Sequence, residues 1–428
     1  MQTAWRLTIF TWLWRVALLL LPWQIRWFVG VELAGWPWEQ GALSVYASML
    51  PMVGTILWAH FFCEPKRYGL IVRHLSIEWI IFCILFFVSV LVSGWNGLAL
   101  RAICFWWFSF FLFLFFVRSL VLMKVEKKDV MWIFFWSLIP HAFIGLWQYA
   151  DQLVYGSKWL GMASQDPRSL GVSVVEHGEY RLLRSYGGFS HPNIFGGWLA
   201  IGLLIALVLS RFVQKKSHII VLALGSALMA MALVLSYSRS AWIAFVIGLL
   251  FLTGSFIWKK RNMPQFFLVV LCFILLSGAI VFVSQWPHIA SRFQVETRLE
   301  QKSVSERVAN LRDARQLFMG RPWFGYGPNA EMLGLNILQK TEAPLQPPHM
   351  IFVLAFLDFG LIGMACLLWL LFRARGFFQD RTILFLLIVC GILGAFDHYL
   401  WSHWAGRCLL MIVCLFCVLP QIQMPEED

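Results

Sequence analysis

Four short polar segments in an otherwise apolar chain hold the residue types that could do chemistry. The first runs Arg181-Leu-Leu-Arg184-Ser-Tyr-Gly187-Gly188-Phe-Ser190-His191-Pro192-Asn193. A basic pair leads through a flexible Gly-Gly to Pro192, and proline is favoured at a first helical position. The free amides of such a start attract anions, although the same pattern also serves as an ordinary capped loop. The second segment, Ser236-Tyr-Ser238-Arg239-Ser240, is a whole hairpin between two apolar runs. An arginine there either snorkels to the interface or grips a phosphate with two parallel hydrogen bonds. The third begins Arg321-Pro-Trp-Phe-Gly325-Tyr-Gly327-Pro328-Asn329 and ends Pro347-Pro348-His349. Its G-x-G lacks the strand-turn-helix setting of a nucleotide fold. His349 stands behind two prolines where a long loop meets an apolar run. A neutral imidazole there either takes a proton from a hydroxyl or simply packs at the interface. The fourth, Asp397, His398 and His403, offers metal-ligand types from one short hairpin, with no carboxylate pair elsewhere to complete a site. P-loop, H-E-x-x-H and G-x-S-x-G patterns are missing, and the outer loops contain no D-x-D.

The elements that must position these residues are membrane helices. The 428 residues are 60% hydrophobic and only 13% charged, about half the charge of a soluble domain, which carries roughly 25%. Runs of about 20 apolar residues, the length that crosses a bilayer, recur along the chain. They predict an all-α polytopic protein of about 12 transmembrane helices, forming a single membrane domain over residues 1–428. The spans are expected near 8–24, 41–62, 76–95, 98–120, 129–149, 193–212, 218–236, 240–257, 265–285, 350–372, 382–397 and 403–420. The N-terminal run reads as an uncleaved first span, with no small-residue cleavage site behind it. Nine cysteines fall almost wholly in apolar runs. The C-x-x-C at Cys414 and Cys417 therefore reads as packing rather than zinc or redox chemistry.

The net charge of +12 could suggest nucleic acid, but its placement argues for membrane topology. Alternate connections hold Arg6; Lys66, Arg67, Arg73; Arg118, Lys124, Lys127, Lys128; Arg211, Lys215, Lys216; Lys259, Lys260, Arg261; and Arg373, Arg375, Arg381. These are 17 of the 34 Lys and Arg, and the positive-inside rule puts them and both termini in the cytoplasm. Two long loops, at about 151–191 and 286–349, then face outward. The first reads as irregular. The second contains an amphipathic helix from about Ser303 to Phe318, with Ser303 and Glu306 as a capping box and Arg307, Arg312 and Arg315 beside an apolar stripe.

Together these segments resemble the O-antigen ligase and O-antigen polymerase superfamily. The resemblance rests on an Arg before the G-G-F-S-H-P-N run and on the Ser-Arg at a tight outer hairpin. It continues in R-x(13)-R-P-x-F-G-x-G-P-N from Arg307, then in a His opening the next span and Phe359-Gly360-Leu361-Ile362-Gly363. It covers about residues 130–375. It implies inverting, metal-independent transfer of a glycan from an undecaprenyl pyrophosphate carrier to an acceptor hydroxyl, on the periplasmic face of the bacterial inner membrane. No cofactor is implied. By position, Arg184 and Arg239 would bind the pyrophosphate, Arg307 would support the loop or carrier, and His349 would be the general base. Met350 stands where the family often has Asn or Ser. Arginine forks can stabilise a pyrophosphate leaving group without a metal.

The acceptor implied first is a lipid A-core glycolipid. A growing glycan (repeat-unit polymerase) or a protein (O-oligosaccharyltransferase) would suit the same donor chemistry. A transporter or flippase is the rival of another class, but such proteins keep ionisable groups near the midplane and show repeated halves. Here mid-span candidates are few: Arg15, His141 beside Pro140, and Glu78 near an end.

Overall fold

The computed structural model describes residues 2–62, 76–177, 180–258, 260, 262–293, 298–339, 346–375 and 381–419. Every expected span has a helix, because the apolar runs are long and carry few internal breakers. In chain order these are α1 (Gln2–Leu20), α2 (Met49–Phe62), α3 (Ser76–Val92), α4 (Gly97–Leu122) and α5 (Lys127–Asp151). Then come α6 (Pro192–Ser210), α7 (Lys216–Leu235), α8 (Arg239–Trp258) and α9 (Gln265–Ser284). The outer segment adds α10 (Trp286–Phe293), α11 (Arg298–Gly320) and α12 (Glu331–Gln339). Last are α13 (Ile351–Ala374), α14 (Arg381–Phe396), α15 (Tyr399–Ser402) and α16 (Trp404–Val418). Among the described residues seven helices, α4 to α9 and α13, are long and apolar enough to cross a membrane; α2, α3, α14 and α16 hold shorter apolar stretches.

Three expectations are corrected. The second span was expected from residue 41, but residues 26–46 form a small β-structure. Strand β1 (Arg26–Val29) pairs antiparallel with β4 (Leu43–Tyr46), and β2 (Glu32–Leu33) with β3 (Trp36–Pro37). The reason lies in the sequence: Arg26, Glu32 and Glu39 interrupt the apolar pattern, and Gly35 adopts a positive φ of 78°. The first long loop is not wholly irregular, since β5 (Val174–His177) pairs with β6 (Tyr180–Leu183). Finally, α11 starts at Arg298, so Ser303 lies inside the helix rather than at its cap. The second long loop holds three helices instead of one. Of the basic residues used for topology, Lys66, Arg67, Arg73, Lys259 and Arg261 lie outside the described residues.

The main core surrounds α6, whose residues are almost all buried. Its neighbours are α5, α7, α8 and α9, with α14 and α16 completing the enclosure. At the opposite extreme α9 is only 17% buried within the protein, and exposed Leu275, Leu276, Ile280 and Val283 form a face that lipid can cover.

A second device fixes the outer segment. At Gly360, α13 leaves helical geometry with φ 61° and ψ −170°. The Arg321–Asn329 run docks there through its backbone. The amides of Tyr326 and Gly327 donate to the carbonyls of Leu357 and Asp358, both at 2.8 Å, and the Leu361 amide donates to Pro322 O at 2.8 Å. These bonds satisfy groups that the kink releases from the helical ladder. A Cβ on Gly360 would lie 2.4 Å from the Trp323 carbonyl carbon, and one on Gly325 would lie 2.4 Å from Leu357 O. The G-x-G is therefore a backbone-docking element rather than a phosphate loop. Arg321 anchors its start by donating to Val92 O at 2.7 Å.

Candidate active site

The site grows from the head of α6. His191 caps this helix, its Nδ1 accepting from the Asn193 amide at 3.1 Å. With Nδ1 accepting, the proton sits on Nε2, which faces Ser173 Oγ at 2.9 Å. Burial, reinforced by the Arg184 guanidinium, pushes His191 down to about 3, so its ring stays neutral across the physiological range. The expected helix start at Pro192 is thus present, but the cap already uses one of its amides. The run before it must turn sharply: Gly188 has φ 90°, and a Cβ there would lie 2.8 Å from His141 Nδ1. His141 in turn donates through Nδ1 to the Gly187 carbonyl.

A polar relay crosses from this turn to the last hairpin. Arg184, buried, donates from Nε to Ser236 O at 2.8 Å and from Nη2 to Asn193 Oδ1 at 2.6 Å. Asn193 Nδ2 donates to Asp397 Oδ2 at 2.8 Å. Asp397 Oδ1 accepts from the His398 amide at 2.8 Å and lies 3.9 Å from His349 Nδ1. Burial alone would raise the Asp397 carboxyl. The surrounding imidazoles, His349 first, outweigh it and hold it far below the usual carboxylate range. Asp397 therefore stays ionised where it faces His349.

Arg184 and His349 are accordingly brought into one network. Arg239 reaches it indirectly, since Arg184 is bonded to Ser236 at the start of the same hairpin. Tyr237 turns that hairpin with φ 48°, and Arg239 Nη1 donates to Arg292 O at 2.6 Å, tying the hairpin to α10. Among the described residues no contact joins Arg307, on α11, to the network. Sequence reasoning had placed Asp397, His398 and His403 together as possible metal ligands. The set whose ligand atoms converge, within 4.8 Å of one another, is instead His349, Asp397 and His398. Three such groups are the number a catalytic zinc uses. Two commitments compete with a metal here: Asp397 already accepts two hydrogen bonds, and His398 Nδ1 lies 2.6 Å from Ser402 Oγ. Asp397 as a partner of His349 was not foreseen, because the two residues belong to different helix junctions.

Residues 224–368 match the O-antigen ligase family. The match covers about a third of the chain, supports the O-antigen ligase superfamily and falls within the region that carries the sequence resemblance. It includes Arg239, Arg307, His349 and the whole docking element of α13. Arg184, Asn193 and Asp397 lie outside it. No curated protein matches the chain. O-antigen ligases act in the enzymatic assembly of O-antigen glycans on lipid-linked substrates, and the apolar helices agree with a bacterial membrane protein.

Proposed function

We propose that the protein transfers a glycan from an undecaprenyl pyrophosphate carrier to an acceptor hydroxyl with inversion and without a metal, as an O-antigen ligase using a lipid A-core acceptor. The observation that carries this reading is the His349–Asp397 pair. An imidazole whose Nδ1 faces an ionised carboxylate keeps its proton on that side, which leaves Nε2 as a free lone pair. His349 then serves as general base: its Nε2 takes the proton of the acceptor hydroxyl as that oxygen attacks the anomeric carbon, while the bond to the pyrophosphate breaks. Arg239 and Arg184 hold the leaving pyrophosphate, with Arg184 also orienting Asn193. Arg307 supports the carrier from the outer segment. In this reading the chain is one membrane domain of twelve spans with both termini cytoplasmic. The 151–191 and 286–349 segments face the periplasm of the inner membrane.

Reconstituted protein in proteoliposomes tests the reading directly. Wild-type protein is expected to move glycan from the undecaprenyl pyrophosphate donor to lipid A-core. His349→Ala is expected to bind donor nearly normally and to transfer roughly 10² to 10⁴ times more slowly, the usual worth of a positioned base. Loss of donor binding in that variant would move His349 into the carrier site and overturn its role as base. Activity that chelators abolish and zinc restores would instead convert His349, Asp397 and His398 into a metal centre. Impermeant labelling of single cysteines at Ser164 and Gln339 checks the topology; reaction only in broken cells would refute the periplasmic placement.

A further inference from the structure

A cavity of about 310 Å³ lies between the N-terminal β-structure, the 154–165 loop, the Gly188-Phe189-Ser190 turn and the start of α16. Its wall is unlike a lipid groove. Arg26 and Glu39 are joined across it by two hydrogen bonds, that from Nη2 to Oε2 measuring 2.8 Å. Burial would raise the Glu39 carboxyl, but Arg26 outweighs it and holds Glu39 below its ordinary range. Tyr46 and Trp404 stack in the same wall, with ring centroids 4.7 Å apart and planes 8° from parallel. Gln165 and Ser190 add amide and hydroxyl groups.

Two further observations give this cavity a direction and a chemistry. His403 lines it. The His403 ring is 5.5 Å from that of His398, which is 5.3 Å from that of His349. A row of imidazoles, His403 then His398, thus leads from the cavity wall to His349. A smaller void of about 10 Å³ shares Glu39, Tyr46 and Trp404 with its wall. Into it face Arg407, which is 8% exposed with Nε and Nη1 unpartnered, and Asn329, which is 1% exposed with Oδ1 unpartnered. Trp404 Nε1 is likewise buried without a partner. Buried unsatisfied donors and acceptors are costly, typically about 1–3 kcal/mol each. A void of this size holds one hydroxyl-sized group.

We propose that this cavity is the sugar subsite for the acceptor, taking a polyhydroxylated oligosaccharide whose attacking hydroxyl points to His349. The Tyr46–Trp404 pair, the Arg26–Glu39 fork and Gln165 suit the alternating apolar faces and hydroxyl edges of a pyranose. One hydroxyl entering the smaller void meets the unpartnered groups of Arg407 and Asn329. The inference rests on the transferase reading above, but its test does not need turnover. The probe is core oligosaccharide released from lipopolysaccharide by mild acid, titrated against purified protein without donor. Ala163 lines the cavity from an exposed loop position, so Ala163→Trp fills it at small risk to folding. Ser164→Trp adds the same bulk one residue along, outside the lining. Wild type and Ser164→Trp are expected to bind the oligosaccharide, Ala163→Trp at least tenfold more weakly, and all three to bind lipid-linked donor alike. Equal oligosaccharide binding by Ala163→Trp, no binding by wild type, or a loss confined to donor would each overturn the subsite. Absence of transfer by wild type, with the binding pattern intact, would overturn the reaction assigned above and leave the subsite standing.

Discussion

The relay from Arg184 to His349 and the dock of Arg321–Asn329 on α13 are held by opposite means. In the relay, side chains do the positioning: a guanidinium, an amide, a carboxylate and an imidazole, each bonded or paired to the next. In the dock, amides and carbonyls do it, and the side chains matter mainly where they are absent, at Gly325 and Gly360. A side-chain relay is sensitive to conservative changes of chemistry and tolerant of backbone shifts. A backbone dock is the reverse. The family match follows this division only in part, covering all of the dock and His349 but not Arg184, Asn193 or Asp397.

The largest effect expected is chemical. His349→Gln keeps shape and hydrogen bonding but has no basic lone pair, so transfer should fall nearly as far as in the alanine variant, by roughly 10²-fold or more. Near-normal transfer by this variant would show that His349 positions rather than accepts a proton. Asp397→Asn should come next. It keeps the contact with Asn193 in form but removes the charge that keeps the His349 proton on Nδ1, so a tenfold or greater fall is expected, on the order of 1.4 kcal/mol or more. In Asp397→Asn the donor KM should stay unchanged; a rise in KM alone would make Asp397 part of the binding surface.

The dock is expected to respond in stability instead. Gly360→Ala places a Cβ against the Trp323 backbone at a positive φ, a strain of order 1–3 kcal/mol before any clash. Thermal unfolding in detergent should register it, whereas Tyr326→Phe, which alters only a side chain, should cost about 1 kcal/mol. Equal effects from the two would erase the distinction between dock and relay.

The two regions should also answer pH in opposite directions. Burial keeps His191 neutral, down to about 3, while an unfolded histidine takes its proton near 6.5. The unfolded chain therefore binds more protons as pH falls from about 6.5 towards 3, and the relay loses stability on acidification. Glu331, at the start of α12 beside the dock, is pushed up by burial. The folded chain then retains a proton that the unfolded chain gives up, so the dock loses stability as pH rises from the ordinary carboxylate range towards neutrality. Each slope is at most about 1.4 kcal/mol per pH unit. Unfolding midpoints of His191→Gln and Glu331→Gln against pH should flatten the acid and the neutral side respectively; the same flattening from both would refute the assignment. The smallest effect is expected from Arg307→Ala, within about threefold in transfer, since no described contact ties Arg307 to the relay. A large loss would show that Arg307 contacts the carrier directly rather than supporting it from the outer segment.

What was legible in the sequence divides along the same line. Span positions, the helix start at Pro192 and the separate features of His349, Arg184 and Arg239 could be read because each is a local pattern of hydropathy, proline or charge. The strand at Leu43–Tyr46 was missed because only Ser44 and Ser48 interrupt the apolar residues that lead from it into α2. Asp397 was grouped with its sequence neighbours His398 and His403 because spacing within one hairpin is visible and contacts between hairpins are not. The sequence separates Asn193, His349 and Asp397 widely. Only the packing of α6 against the last helices makes them neighbours.

That packing also has a consequence for biogenesis. Helix α6 is 94% buried, and part of its enclosure comes from α14 and α16, which leave the ribosome long after it. Trp198 on α6 donates its ring N–H to Ala405 O at 3.2 Å, a partner that does not yet exist when α6 enters the bilayer. During synthesis, the side of α6 that α14 and α16 later cover therefore stays without them until they insert. The same late step delivers Asp397 to Asn193 and His349. Insertion of the final hairpin thus both closes the helical bundle and completes the polar relay, so a nascent chain stalled before α14 carries the proposed base with no carboxylate beside it.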